Sequence, residues 1–410
     1  MRISTSQMFD VSTDSLSRQQ SDLFRLQQQM SASKRILTPS DDPVAASLAL
    51  TEKQGEAVNT QLQRNIGNAR HQIGLAENAL SNATNVMQAS RQLLVQAGNT
   101  TLSDSDRGAI ATELTQQLKQ LLALANSDDG NGRYLFSGYQ GAAASYVQTA
   151  AGASYQGDTG QPLLQVSANR YMEVSNTGNE IFELAPTGNG TFATSISDPA
   201  GSPAVVNTGT GLIDVGSLLT SGYTGQTYIL KFNAGGTSYD VIQRTAGVET
   251  TLSSSNAYTS GAAISLGGGS IQVSVSGAPA SGDRFVIGPS TNQNIFTTLQ
   301  NAINLLNTPA TSAVLRTQLV EGVRQAIGNT DQSMNQVSGV QTSMGARLRE
   351  LDTLEGVNSA VKLAHTQRVS ELEDLDYTQA VSDLARQQLA MTAAQNSFVK
   401  ISKLSLFDYL

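Results

Sequence analysis

The chain has 410 residues, a formal net charge of −8 at pH 7 and no cysteine. A length of this order predicts two to four compact units. The acidic balance argues against nucleic-acid binding, because nucleic-acid-binding surfaces concentrate lysine and arginine. The lack of cysteine excludes disulfides, thiolate zinc sites and thiol catalysis.

The amino-terminal third has the apolar spacing of long helices. A first seam has one apolar residue in every seven, which is typical of a helix that packs on a partner helix. This seam consists of Phe9, Leu16, Leu23 and Met30. A second stripe runs from Val58 to Ala97 in alternating steps of four and three, and a third helix is predicted after the start signal at Ser103.

A short motif, Pro39-Ser-Asp-Asp-Pro43, separates the first two helical segments. Adjacent carboxylates can serve in acid/base catalysis or metal binding, but aspartate followed by proline is also a helix start. We predict that Asp42 is the N-cap and that Pro43 lies in the first helical turn.

The middle of the chain has a different composition. Residues 131–290 hold 25 of the 36 glycines and 14 of the 21 phenylalanines and tyrosines. Short alternating runs bounded by turn residues predict an antiparallel sheet. The clearest runs are 227–233, 238–243, 270–276 and 283–287. The low-complexity stretch 198–210 is interpreted as a linker that divides this region.

The carboxy-terminal segment returns to helical spacing, with stripes over 296–306 and 319–351 and a last helix. The stripe of the last helix consists of Leu384, Gln387, Met391, Ala394, Phe398 and Ile401. Residues 1–37 carry a charge of +2 and residues 366–410 a charge of −2, which favours pairing of the two ends.

These patterns predict an α+β multidomain fold, in which a long antiparallel helical bundle or coiled coil from both termini carries a central antiparallel β-rich head. The predicted domains are a terminal helical domain (1–40 plus 366–410), a helical-bundle shaft (41–139 plus 289–365), a first β-rich head domain (140–208) and a second one or insertion (209–288).

No residues are assigned to catalysis, to a cofactor or to a metal. His71 and His365 are the two histidines, each in a helical stretch, which excludes a HExxH site. The acidic residues between 371 and 376 lack the loop of an EF-hand and are interpreted as a solvated helix face. Because no nucleophile and base occur together in a known motif, we expect that the protein is not an enzyme.

No apolar stretch is long enough for a membrane span, and the amino terminus lacks the apolar core of a secretory signal. If the protein leaves the cell, it uses another export route.

Three segments resemble the bacterial flagellin-like family of flagellins and hook-associated proteins. They are SASKRILTPSDDPVAAS (31–47), GNGRYLFSGYQG (130–141) and the carboxy-terminal segment LDYTQAVSDLARQQLAMTAAQNSFVKISKLSLFDYL (375–410). The ending LSLFDYL, together with YQGDTGQ (155–161), resembles the branch found at the hook-filament junction. The resemblance implies a structural protein of the flagellum, involved in cell motility.

Further expectations follow from this resemblance. It implies a homo-oligomeric ring between hook-associated protein 1 and the flagellin filament, secretion by the flagellar type III apparatus, and a cytosolic export chaperone. The terminal seams are too thin to fold alone, so we expect them to become ordered when neighbouring subunits bury them. The candidate assembly interface is Phe9, Leu16, Leu23, Met30, Leu384, Met391, Phe398, Ile401 and Phe407.

Two alternatives stay open. A filament flagellin would have the same architecture and would polymerise. A surface adhesin would bind glycan or host protein through the tyrosine and asparagine side chains of the β head.

Overall fold

A computed structural model of the chain describes residues 5–201 and 204–403. In this part of the chain, helices from both ends flank a central antiparallel β region, which confirms the predicted fold class. The α-helices are α1 (Thr5–Ala32), α2 (Pro43–Ala97), α3 (Asp104–Ala125), α4 (Ile295–Leu306), α5 (Ala313–Glu373) and α6 (Tyr377–Lys403).

The β region lies between α3 and α4. Its first strands are β1 (Tyr146–Thr149), β2 (Gly152–Tyr155), β3 (Leu163–Ser167), β4 (Arg170–Glu173), β5 (Phe192–Ser195), β6 (Ser197–Asp198), β7 (Val205–Val206), β8 (Leu212–Ile213) and β9 (Ser217–Leu218). The later strands are β10 (Thr227–Phe232), β11 (Ser238–Thr245), β12 (Val248–Ala257), β13 (Ala263–Leu266), β14 (Ile271–Ser276) and β15 (Arg284–Pro289).

Side-chain caps start the helices where the sequence predicts. The Asp42 carboxylate accepts a hydrogen bond from the Ala45 amide at 3.0 Å, and α2 begins at Pro43, so the predicted N-cap is confirmed. At α3, the Ser103 hydroxyl and the Asp106 carboxylate cap each other's backbone in a capping box. Each cap satisfies amide groups that the first helical turn leaves without a partner.

The predicted stripe of α2 is buried from Leu62 to Ala97, but the prediction for Val58 is wrong, since 61% of that residue is exposed. The buried position is taken by the next residue, Asn59, whose side-chain amide donates to the Asn358 carbonyl at 2.5 Å. The spacing of apolar residues alone could not predict that the buried position moves from Val58 to Asn59, because Asn59 is polar.

The chain divides into two compact units. The described residues of the first lie within Met1–Ile66, Val166–Ala168 and Asp352–Leu410, and therefore include α1 and α6. The second unit, Gly67–Gln165 and Asn169–Leu351, contains α3, α4 and most of the strands.

In the second unit, five strands form an antiparallel sheet in the order β12-β11-β10-β15-β5, and a smaller sheet joins β13, β14, β8 and β9. The four strands predicted most clearly are all present. Apolar residues of both sheets form one buried cluster: Phe192, Ile213, Tyr228, Leu230, Phe232, Val241, Ile264, Leu266, Ile271, Val273, Val275, Phe285 and Ile287.

The interpretation of 198–210 as a linker is wrong for the residues of this stretch that the structure describes. Asp198 is fully buried and bound by Arg244 and Arg284. The side chain of Asn207 exchanges two hydrogen bonds with the backbone of Arg284, at 3.0 and 2.7 Å. Polar composition suggested flexibility, but these polar side chains bond to the sheet. The division into four domains stays a prediction.

Candidate assembly interface

The terminal helices α1 and α6 pack together in the first unit. The rings of Phe9 and Phe398 have centroids 5.0 Å apart, and the Tyr377 hydroxyl donates to the Met30 carbonyl at 2.6 Å. The start of one helix therefore meets the end of the other, so the pair is antiparallel.

The contacts at the two ends define the register between them. Steps of seven residues from the Phe9–Phe398 contact lead to Leu16 opposite Met391, then to Leu23 opposite Leu384, and finally to the observed contact between Met30 and Tyr377. The side chains of these four inner residues are half-buried. This register places seven of the nine predicted interface residues along one side of the α1–α6 pair, and their role in assembly stays a prediction.

The two remaining predicted residues have no described side chain. Ile401 lies in α6, but its side chain is outside the described part of the structure, and Phe407 lies outside the described residues altogether.

Sequence reasoning missed two buried members of this seam. Leu26 is 9% exposed and Ala380 is 3% exposed, whereas Phe9 near the free end is 46% exposed. Leu26 follows Leu23 by three residues, which is the second apolar position of a heptad and could have been found from spacing alone. The small side chain of Ala380 gives no such signal.

The pair is anchored where α1 ends and α5 leads into α6. The Arg35 amide donates to the Glu373 carbonyl at 2.7 Å, and the Leu375 amide donates to the Ser33 carbonyl at 3.2 Å. The Glu373 carboxylate also pairs with the ammonium groups of Lys53 and Lys34, which hold its pKa below the usual range.

The acidic group near 371–376 was interpreted as a solvated helix face, and this is wrong for two of its members. Glu373 is mostly buried by its two lysine partners. Asp376 caps α6, since its carboxylate accepts from the amides of Thr378 at 2.9 Å and Gln379 at 3.1 Å. Glu373 and Asp376 therefore hold the junction between α5 and α6 in place. Among the described residues, no group of three or more histidine, aspartate or glutamate side chains could hold a metal ion.

One of the two histidines joins α2 to α5 in the same unit. His365 Nδ1 lies 2.6 Å from a Glu52 carboxylate oxygen, and Arg368 contacts the other oxygen at 3.3 Å. The His365 hydrogen bond, followed by that of Arg368, lowers the pKa of Glu52. The ring lies against Gly55, where an added Cβ would come within 2.7 Å of it. The other histidine, His71, is exposed.

The paired terminal helices also present large apolar side chains to solvent. Phe24 on α1 is 62% exposed and Leu389 on α6 is 72% exposed. Neither residue belongs to the seam, so the pair has apolar surface left over after the two helices have packed on each other. Such surface fits contact with further helices.

The second unit contains a cleft of about 370 Å³ that His71, Asp129 and Arg133 line together with apolar residues. Asp129 accepts hydrogen bonds from the backbone amides of Asn131 and Arg133, which lower its pKa. The carboxylate is therefore used to close a turn. None of the helices in the described ranges 5–201 and 204–403 has the length and hydropathy of a membrane span.

Comparison with known proteins agrees with this architecture. The profile of the family described as "Bacterial flagellin N-terminal helical region" matches residues 3–141. Flagellar hook-associated protein 3 of Salmonella typhimurium is 28% identical over 409 residues, covering 100% of this chain and 99% of the relative. The flagellar junction protein FlgL from Legionella pneumophila is 30% identical, with a TM-score of 0.67 over 80% of this chain and 100% of that chain. The chain belongs to the flagellar hook-associated protein 3 (FlgL) family.

Membership in the FlgL family makes the chain a structural protein of the flagellum. FlgL from Xanthomonas campestris has the same fold, with a TM-score of 0.69 and 29% identity over 78% of this chain and 99% of that chain.

Proposed function

We propose that this protein forms the junction ring between the hook, through hook-associated protein 1, and the flagellin filament. The observation that carries the proposal is the full-length similarity to hook-associated protein 3, together with the structural likeness to the flagellar junction protein FlgL from Legionella pneumophila. An antiparallel helix pair with apolar surface left over supports a subunit that packs laterally against other helices.

The α1–α6 pair is the proposed assembly interface. Its seam residues, from Phe9 to Met30 and from Leu384 to Phe398, are half-buried or exposed at most positions in the single chain. Neighbouring subunits of a homo-oligomeric ring would cover the exposed part and order both ends. We include Ile401 in this interface because it continues the apolar spacing of α6 in the sequence, and we include Phe407, which lies outside the described residues, as a further proposed contact.

Export by the flagellar type III apparatus and binding of a cytosolic chaperone complete the proposal. Both come from the family resemblance. Recovery of the intact, uncleaved chain from the medium of growing cells would support the export route, and its absence from the medium of a type III export mutant would be the matched control.

The test is deletion of the gene, followed by electron microscopy of the cells and a protein gel of the medium. We expect bare hooks and monomeric flagellin in the medium, because hooks form and flagellin is exported but has no base on which to polymerise. Complementation with the wild-type gene restores filaments. Normal filaments on the deletion strain would refute the junction role and favour the adhesin hypothesis.

A filament flagellin is the alternative with the same architecture. The flagellin profile matches only residues 3–141, whereas hook-associated protein 3 matches along the whole chain, which favours the junction role. Polymerisation of the purified protein into long filaments would reverse this choice.

A further inference from the structure

The same tripeptide, Gly-Asn-Gly, occurs in two turns of the second unit. One copy is residues 130–132, between α3 and β1, and the other is residues 188–190, before β5. Asparagine followed by glycine cyclises readily, because glycine has no Cβ to obstruct attack by its amide nitrogen on the asparagine side chain. Since the two tripeptides are identical, their surroundings decide which asparagine reacts.

Backbone shape and crowding do not distinguish the two turns. The φ angle is +80° at Gly132 and +88° at Gly190, so both glycines lie in the left-handed region. An added Cβ would meet no atom closer than 3.5 Å at either position. Hydrogen bonding is therefore the difference between them.

The Asn189 side chain is held by the turn that it closes. Its Oδ1 accepts hydrogen bonds from the amides of Thr191 at 3.0 Å and Phe192 at 2.9 Å. Its Nδ2 donates to two backbone carbonyls between β8 and β9, both at 3.4 Å. The Gly190 amide, which would have to attack, donates instead to the Thr187 carbonyl at 3.2 Å. All these hydrogen bonds oppose cyclisation at Asn189.

The surroundings of Asn131 restrain it far less. Its side chain is exposed, and its side-chain hydrogen bond within the described residues is to the Asp129 carboxylate. The amides of Asn131 and Arg133 also bind Asp129, at 2.9 and 3.1 Å. Among the described residues, the Gly132 amide between them has no hydrogen-bond partner. The attacking nitrogen and the side chain that it attacks are therefore both accessible in this turn.

We propose that Asn131 is a site of spontaneous deamidation and that the fold protects Asn189 in the identical tripeptide. The Gly132 nitrogen forms a bond to Asn131 Cγ, and the bond from Cγ to the side-chain nitrogen breaks. The proton of the Gly132 amide and the side-chain NH₂ leave together as ammonia. Water then adds to the cyclic imide and opens it at either carbonyl, which gives aspartate or isoaspartate.

The product changes the cleft that this turn borders. Asn131 lines the cleft together with His71, Asp129 and Arg133, and deamidation adds one negative charge beside Asp129. Isoaspartate also lengthens the main chain by one methylene group, which shifts the Arg133 amide relative to the carboxylate that binds it. The charge and shape of this surface therefore change with the age of the molecule, whether or not the protein has the junction role.

The test is peptide mapping by mass spectrometry after the full-length protein has been incubated at mildly alkaline pH. Deamidation replaces an amino group by a hydroxyl group and raises the mass of the peptide, so the two sites are followed separately. Because several hydrogen bonds must break before Asn189 reacts, we expect Asn131 to react at least about tenfold faster in the folded chain.

Unfolding provides the control for this comparison. In urea, the hydrogen bonds around both turns are lost, and the two rates should become similar because the tripeptides are identical. Equal rates in the folded chain, or a tenfold difference that persists in urea, would overturn the proposal.

A matched pair of variants links the charge change to this site. The variant Asn131→Gln keeps a carboxamide but would have to form a six-membered ring, which is much slower. The control Asn68→Gln makes the same change at an exposed residue of the same cleft that is not followed by glycine. On ageing, the wild type and the control should gain an acidic band on isoelectric focusing, and Asn131→Gln should not. An equal acidic band in Asn131→Gln would contradict the proposal.

Discussion

The rings of Phe9 and Phe398 lie 5.0 Å apart at an angle of 48°, although the two residues belong to opposite ends of the sequence. Aromatic pairs of this kind contribute about 0.5–1.5 kcal/mol beyond the area they bury. Because Phe9 is half-exposed, we expect the free-energy contribution of this ring contact to lie at the lower end of that range.

A double-mutant cycle tests this contact. Phe9→Ala and Phe398→Ala should each raise the rate of protease cleavage near the chain ends, and the double variant should reveal a coupling of about 0.5 kcal/mol. The control pair is Phe24→Ala with Phe398→Ala, because Phe24 is exposed and lies outside the seam. A coupling of equal size in the control pair would mean that the ring contact is not the cause.

Removal of the buried Asp198 carboxylate should destabilise the β region. Its two oxygens bind Arg244 at 2.9 and 2.5 Å, and one of them also binds Arg284 at 3.0 Å. Asp198→Ala leaves two largely buried guanidinium groups with Glu249 as their remaining carboxylate partner among the described residues, so we expect a loss of about 3 kcal/mol in the free energy of unfolding. Urea unfolding followed by tyrosine fluorescence measures this loss.

The matched control for that experiment is Asp331→Ala. Asp331 pairs with Arg91 at 2.6 Å, but both side chains are about two-fifths exposed, so its loss should cost less than about 1 kcal/mol. Similar losses for the two variants would show that burial does not decide the strength of these ion pairs.

The same network predicts acid sensitivity. Burial opposes ionisation of Asp198, but the hydrogen bonds from Arg244 and Arg284 outweigh it and keep its pKa below the usual value. The arginine contacts likewise lower the pKa of Glu249. A pKa that is lower in the folded chain adds stability that is complete above the unfolded value of about 4 and is lost as the pH falls through the folded value.

The measurement is the thermal stability of wild-type chain and Asp198→Asn between pH 7 and pH 2. The advantage of the wild type should be constant at neutral pH and shrink below about pH 4. An advantage that does not change with pH would mean that Asp198 is not an ionised partner of the arginines.

The substitution Gly55→Ala tests whether helix propensity or side-chain packing decides the stability at this position of α2. Alanine in place of an internal helical glycine stabilises by about 1 kcal/mol where space is open, as it is at Gly67 and Gly74 of the same helix. At Gly55 the new Cβ would come within 2.7 Å of the His365 ring and displace it from Glu52.

We therefore expect Gly67→Ala and Gly74→Ala to raise the melting temperature and Gly55→Ala to lower it. In the double variant Gly55→Ala with His365→Ala, the obstructing ring is absent. We therefore expect this variant to recover the stabilisation that alanine gives through its higher helix propensity. Equal stabilisation at all three glycines would show that the His365 ring can move aside without loss.

Apolar spacing in the sequence was enough to predict helices on both sides of the β region and most of the buried face of α2, with Val58 as the exception. Seven-residue steps identified Phe9, Leu16, Leu23 and Met30 without any structure, and aspartate before proline located the start of α2. Turn residues around alternating runs located the main strands. These features are local, because helix and strand periods and caps depend on residues within a few positions of each other.

The tertiary structure decided the polar contacts between distant segments. The burial of Asp198, the binding of Glu373 by Lys34 and Lys53, and the position of His365 against Gly55 each join residues far apart in the chain. A carboxylate in a polar stretch has the same local sequence signature whether it is solvated or bound by arginine. Its partner is determined only when the fold brings the two segments together, and the free energy of that contact then depends on burial that no local pattern contains.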